Sequence, residues 1–139
     1  MTSPDLTIWQ DNVITKARYE MTSLEKNILY MVLAQIKKDD TIDTIYYVHA
    51  KELMELTGER IEYGDFLKVT RKLVQRYFET DLPNGDFLQA TFVSSAKYLK
   101  GQGIIQIRLD PEVRPFFVEL KEKFTTFQLH TALTLNSKY

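Results

Sequence analysis

Lys68, Arg71, Lys72 and Arg76 lie in a stretch, residues 66–78, that contains no acidic residue. Their spacing of three, one and four returns them to one side of a helix. A second acid-free stretch, residues 87–109, carries Lys97, Lys100 and Arg108. The formal net charge is only −1, so these are two basic islands in an acidic background. Cations grouped in this way can hold the phosphate oxygens of a nucleic acid. Lysines also collect on solvated faces, and composition alone does not separate the two readings.

Other chemistry has little to work with. There is no cysteine, hence no disulfide framework, thiolate metal site or thiol nucleophile, and a reducing cytoplasm is the expected setting. His49 and His130 are far apart and lack ligand partners at helical spacing, so surface or capping roles are expected for both. The five glycines are single or at turns and build no phosphate cradle. Asp39-Asp40 reads as a pair of solvated turn residues. Tyr46, Tyr47, Tyr77 and Phe92 fall in apolar registers and are expected in the core rather than on a stacking platform. No enzyme activity, cofactor or metal is expected. The opening MTSPDLTIWQD has no secretory pattern, and no apolar run reaches the roughly 20 residues that span a bilayer.

The elements that would carry the basic residues can be read from the pattern. At 139 residues the chain fits one domain with a real core. Residues 12–20, NVITKARYE, form a short strand or extended arm. Thr22-Ser23-Leu24-Glu25 is a capping box. It opens a helix whose Leu24, Ile28, Met31, Val32 and Ile36 share a face widened by Leu29 and Leu33. TIYYV, residues 44–48, is a strand by its β-branched and aromatic content. HAKELMELTG, residues 49–58, is a two-turn helix that Gly58 ends. Asp65 is placed to cap a longer helix from Phe66 to about Phe78. Its apolar side is Phe66, Val69, Thr70, Leu73, Val74 and Tyr77, and its other side is Lys68, Arg71, Lys72, Gln75 and Arg76. Pro83-Asn84-Gly85-Asp86 is a turn.

Next comes one long strand over residues 87–99, in which Leu88, Ala90, Phe92, Ser94, Ala96 and Tyr98 share a face. The turn Lys100-Gly101-Gln102-Gly103 joins it to a strand with Ile105, Ile107 and Leu109 on one side, which makes a hairpin. Asp110 can cap a helix with Pro111 at its first position. Residues 132–139, ALTLNSKY, are helical in pattern and stop inside it, as a fragment of a longer protein would. Helix-turn-helix followed by a β-hairpin is an α+β winged helix, with the hairpin as the wing. In that arrangement the basic helix fits a major groove, and Lys97, Lys100 and Gln102 on the wing reach neighbouring phosphates or the minor groove. The strand edges of the wing and of TIYYV are also open to pairing with a second copy.

Several segments resemble the Rep-type plasmid replication initiators. These are DNVITKARYEMTSLEKNILYMVLAQI, YYVHAKELMELTG, SAKYLKGQGIIQIRLDPEVRPFFVELKEKFTTFQL and the closing LNSKY. The likeness runs over nearly the whole chain and rests on the order and spacing of these segments. It implies a two-domain initiator of tandem winged helices, with residues 1–139 as the first. It further implies non-enzymatic binding to repeated origin sites (iterons) in plasmid DNA, in the bacterial cytoplasm, with homodimerisation and recruitment of host replication factors and chaperones. In the family the first domain adds largely backbone and minor-groove contacts, so phosphate contact is the expected role of Lys68, Arg71, Lys72, Arg76, Lys97, Lys100 and Gln102. A winged helix devoted to self-association, and a stand-alone transcription repressor, are the alternatives.

Overall fold

The computed structural model describes residues 21–123, together with Thr125 and Gln128. The arm expected over residues 12–20, His130 and the closing helical stretch 132–139 lie outside the described residues. Within them the chain is a winged helix with an extra hairpin. Its elements are α1 (Ser23–Gln35), β1 (Tyr46–His49), α2 (Ala50–Thr57), α3 (Tyr63–Leu73), β2 (Tyr77–Asp81), β3 (Phe87–Thr91), β4 (Val93–Leu99), β5 (Ile104–Leu109) and α4 (Arg114–Lys123).

α1 begins as the capping box dictates. The Glu25 N–H donates to Thr22 Oγ1 at 3.2 Å, and the Thr22 N–H donates to Glu25 Oε1 at 3.3 Å. Ile28, Leu29, Val32 and Leu33 are buried on one side of it. Gly58 ends α2 in the left-handed conformation, φ +71°, which costs a residue without Cβ nothing.

Three antiparallel strands form the main sheet in the order β1-β5-β4. Tyr46, Ile107 and Ala96 make one row across it, and Val48, Ile105 and Tyr98 another. Both rows face the core. The alternate row, Tyr47-Gln106-Lys97, faces the other way. Gln35 closes the outer edge of β1: its side-chain Nε2 donates to the Tyr47 carbonyl at 2.8 Å, and its Oε1 accepts the Tyr47 N–H at 3.4 Å. A side-chain amide thus stands where a neighbouring strand's peptide group would. This occupies the Tyr47 groups through which TIYYV was expected to pair with a second copy.

Four expectations are corrected. The helix predicted to reach Phe78 ends at Leu73, and Tyr77–Asp81 is a strand paired with Phe87–Thr91. A helical period fits Tyr77 as well as a strand does. The strand wins because it buries Phe78 against Phe92, with ring centroids 5.0 Å apart. The predicted single strand over residues 87–99 breaks at Phe92. Phe92 and Val93 are consecutive and both buried, which no regular alternation allows, and an irregular register follows between Val93 and Ser95. The last described helix starts at Arg114 rather than Pro111. Asp110 instead closes a turn, its Oδ1 accepting the Glu112 N–H at 2.8 Å. Pro115 then falls in the helix's first turn, where its missing N–H is harmless. Finally, Tyr46 and Phe92 are core residues as expected, whereas Tyr47 and Tyr77 are exposed.

Asp40 is also more than a solvated turn residue. Its Oδ2 accepts the Lys37 N–H and the Tyr46 hydroxyl, each at 2.8 Å, and Tyr46 in turn accepts Arg114 Nη1 at 2.9 Å. Burial works to raise the Asp40 pKa, but these hydrogen bonds and the Arg114 and Lys37 charges outweigh it, so the carboxyl sits below its ordinary value. A depressed carboxylate stabilises the fold above its unfolded pKa of about 3.9 and loses that contribution as pH falls through the folded value. Asp40→Asn is therefore expected to lose stability at neutral pH and to flatten the acid limb below about pH 4. Urea midpoints at pH 7 and pH 3 measure both effects.

Candidate nucleic-acid interface

α3 sorts its side chains as an amphipathic helix must. Phe66, Val69, Thr70 and Leu73 are buried, with the Phe66 ring edge-on to Tyr98 of β4 at 6.2 Å. Lys68, Arg71 and Lys72 are exposed on the opposite arc. Among the described residues no acid lies within ion-pair distance of any of the three. Lys68 and Lys72, one turn apart, also line a groove of about 320 Å³ that Ser23 and Asn27 of α1 close from the far side. The helix starts earlier than predicted: Glu62 is its N-cap residue and Asp65 sits in the first turn, where a carboxylate favours the helix dipole. At 11 residues, α3 is about 16 Å long, enough to lie in a major groove.

The wing tip is tied to this helix. The Gly103 carbonyl accepts the Ala50 N–H at 2.8 Å, at the first residue of α2. Gly103 is buried, and a Cβ there would lie 3.5 Å from both Ala50 Cβ and Tyr63 Cε1. Tyr63, in the stretch read as a polar link, is thus the first residue of α3 and its ring covers the tip. No pattern marked it, because its partner is 40 residues away on a separate hairpin. Lys100 and Gln102 are exposed in the turn that this clasp holds beside the start of α3. Gly103 has φ +64°, a conformation costing a residue with Cβ roughly 1–2 kcal/mol. Gly103→Ala is expected to lower stability by about that amount, as read from a denaturant midpoint.

Lys97 and Arg76 stand elsewhere. Lys97 is exposed but occupies the sheet row facing away from Tyr98, and therefore away from α3. Arg108 shares that outer face and lies 3.8 Å from Asp43. Arg76 follows α3 rather than riding on it. Its guanidinium forks onto Glu25, with Nε donating to Oε2 at 2.7 Å and Nη2 to Oε1 at 3.0 Å. Glu25 is fully buried. One carboxylate therefore caps α1 and anchors the link between α3 and β2. The capping box flagged Glu25, but nothing in the sequence pointed to a partner 51 residues on.

His49 is the N-cap residue of α2 without a side-chain capping bond, its Nε2 4.0 Å from Glu52. Among the described residues no cluster of His, Cys, Asp and Glu could hold a metal ion. Nor is any described helix long and apolar enough to cross a membrane.

Comparison with known proteins gives the family and the fold. Residues 7–139 match the family described as Initiator Replication protein, WH1. The fold is similar to the crystal structure of the WH1 domain of MSBI1.176, a replication protein isolated from a multiple sclerosis patient. The TM-score is 0.65 at 18% sequence identity, covering 87% of this chain and 98% of that one.

Proposed function

This chain belongs to the family of initiator replication proteins, as their WH1 domain, and from that premise we propose that it is the first domain of a plasmid replication initiator. Its work is to contact the phosphate backbone of repeated origin DNA and to self-associate. The observation that carries this reading is the set of cations Lys68, Arg71 and Lys72 on the exposed arc of α3, unpaired among the described residues, with Lys100 and Gln102 held beside its first turn. Unpaired, solvated cations give up no protein partner on meeting a phosphate, and each contact releases a condensed counterion. Lys97, on the outer sheet face, reaches DNA only where the duplex wraps past the wing. Arg76 acts indirectly, by holding the end of α3 through Glu25. Sequence reading belongs to a further domain of the initiator, and phosphate contact here positions it. The reaction is binding, without covalent chemistry, and host replication factors and chaperones act on the assembled complex.

The test is a salt titration of binding to a fluorescent duplex, with oligomeric state followed in the same samples. Affinity is expected to fall linearly in log–log form as salt rises, with a slope of about −0.9 per phosphate contact. Absence of binding at low salt, alongside a clear dimer, would assign this domain to self-association alone.

A further inference from the structure

Away from α3 and the wing, α1, β1 and α2 enclose an open groove of about 640 Å³. Its floor is apolar: Tyr30, Met31, Tyr47 and Leu56 line it, with Tyr47 44% and Leu56 40% exposed. Its α2 side is acidic, formed by Glu52 and Glu55, and among the described residues His49 is the only basic group in the lining. Exposed apolar side chains gathered in one concave patch mark an interaction surface more than the same residues scattered singly. Two carboxylates at its margin repel DNA and select a basic ligand.

We propose that this groove docks a short amphipathic helix of a partner protein, with one apolar stripe flanked by lysine or arginine. The apolar stripe covers Tyr47 and Leu56, while the flanking cations meet Glu52 and Glu55. Docking by strand addition is disfavoured, because Gln35 already fills the hydrogen-bonding groups of Tyr47 that an added strand would use. The helix-in-groove mode needs no backbone ladder and uses the exposed Tyr47 and Leu56 together with a charged rim.

The probe is a synthetic amphipathic helical peptide of leucine and lysine, set against its counterpart with glutamate in place of lysine. Both are titrated into the isotope-labelled protein while backbone amide shifts are followed. Saturable binding of the lysine peptide is expected, with shifts centred on Tyr47, Glu52, Glu55 and Leu56. The double variant Glu52→Lys/Glu55→Lys should weaken it at least about tenfold, and Leu56→Asp should weaken it independently. These side chains are exposed, so unchanged thermal melts will confirm that each variant folds. Equal binding of the glutamate peptide, no binding of the lysine peptide, shifts centred elsewhere, or variants that bind as the parent does would each overturn the proposal. A concentration-dependent dimer that buries these residues would replace the partner helix with a second copy and overturn it as well.

Discussion

Replacing Arg76 by alanine is expected to cost about 3 kcal/mol of folding stability, the scale for removing one partner of a buried ion pair. The loss is large because of what stays behind. Glu25 is fully buried, and without the guanidinium its carboxylate keeps, among the described residues, only the hydrogen bonds from the Thr22 N–H and hydroxyl. The double variant Glu25→Gln/Arg76→Met should recover much of this loss, since a neutral pair avoids the buried charge. Urea denaturation of the single and double variants measures the coupling directly. A single variant within about 0.5 kcal/mol of the parent, the usual range for surface changes, would mean that the pair contributes little.

The second expectation concerns DNA. The triple variant Lys68→Ala/Arg71→Ala/Lys72→Ala should flatten the salt dependence of binding by about 3, roughly 0.9 for each phosphate contact removed. Its stability should change little, because these side chains are exposed and pair with no acid among the described residues. Lys68→Ala alone should lower the slope by about 1. An unchanged slope in the triple variant would take the helix out of the interface and leave the wing to carry it. These two results separate cleanly. Arg76 is expected to act on the fold, and its neighbours in sequence on the proposed DNA ligand.

How far the sequence foretold this follows from the range of the interactions involved. Thr22 and Glu25 are three residues apart, so their capping box was legible, as was the left-handed Gly58. Lys68, Arg71 and Lys72 were placed on an exposed helical face because amphipathic spacing is itself local. Reading failed where period and partner disagreed. Residues 74–78 suit helix and strand equally in isolation, and only pairing with β3 and the Phe78–Phe92 contact decide between them. Arg76 accordingly moved from the helix to a clamp on Glu25. Tyr63 and Gln35 were invisible for the same reason, since each acts on a segment brought near only by the fold.

The hydrogen bond from Ala50 to Gly103 has a dynamic consequence. The Gly103 carbonyl of the wing tip accepts the first amide of α2, one residue past the β1–β5 pair His49–Ile104. Lifting the tip and fraying the start of α2 are therefore one event rather than two. The Ala50 amide should exchange with solvent deuterium only when the tip opens, and its protection factor reports the free energy of that opening. The bond makes the wing tip a latch on the start of α2, and a single amide proton can serve as its gauge.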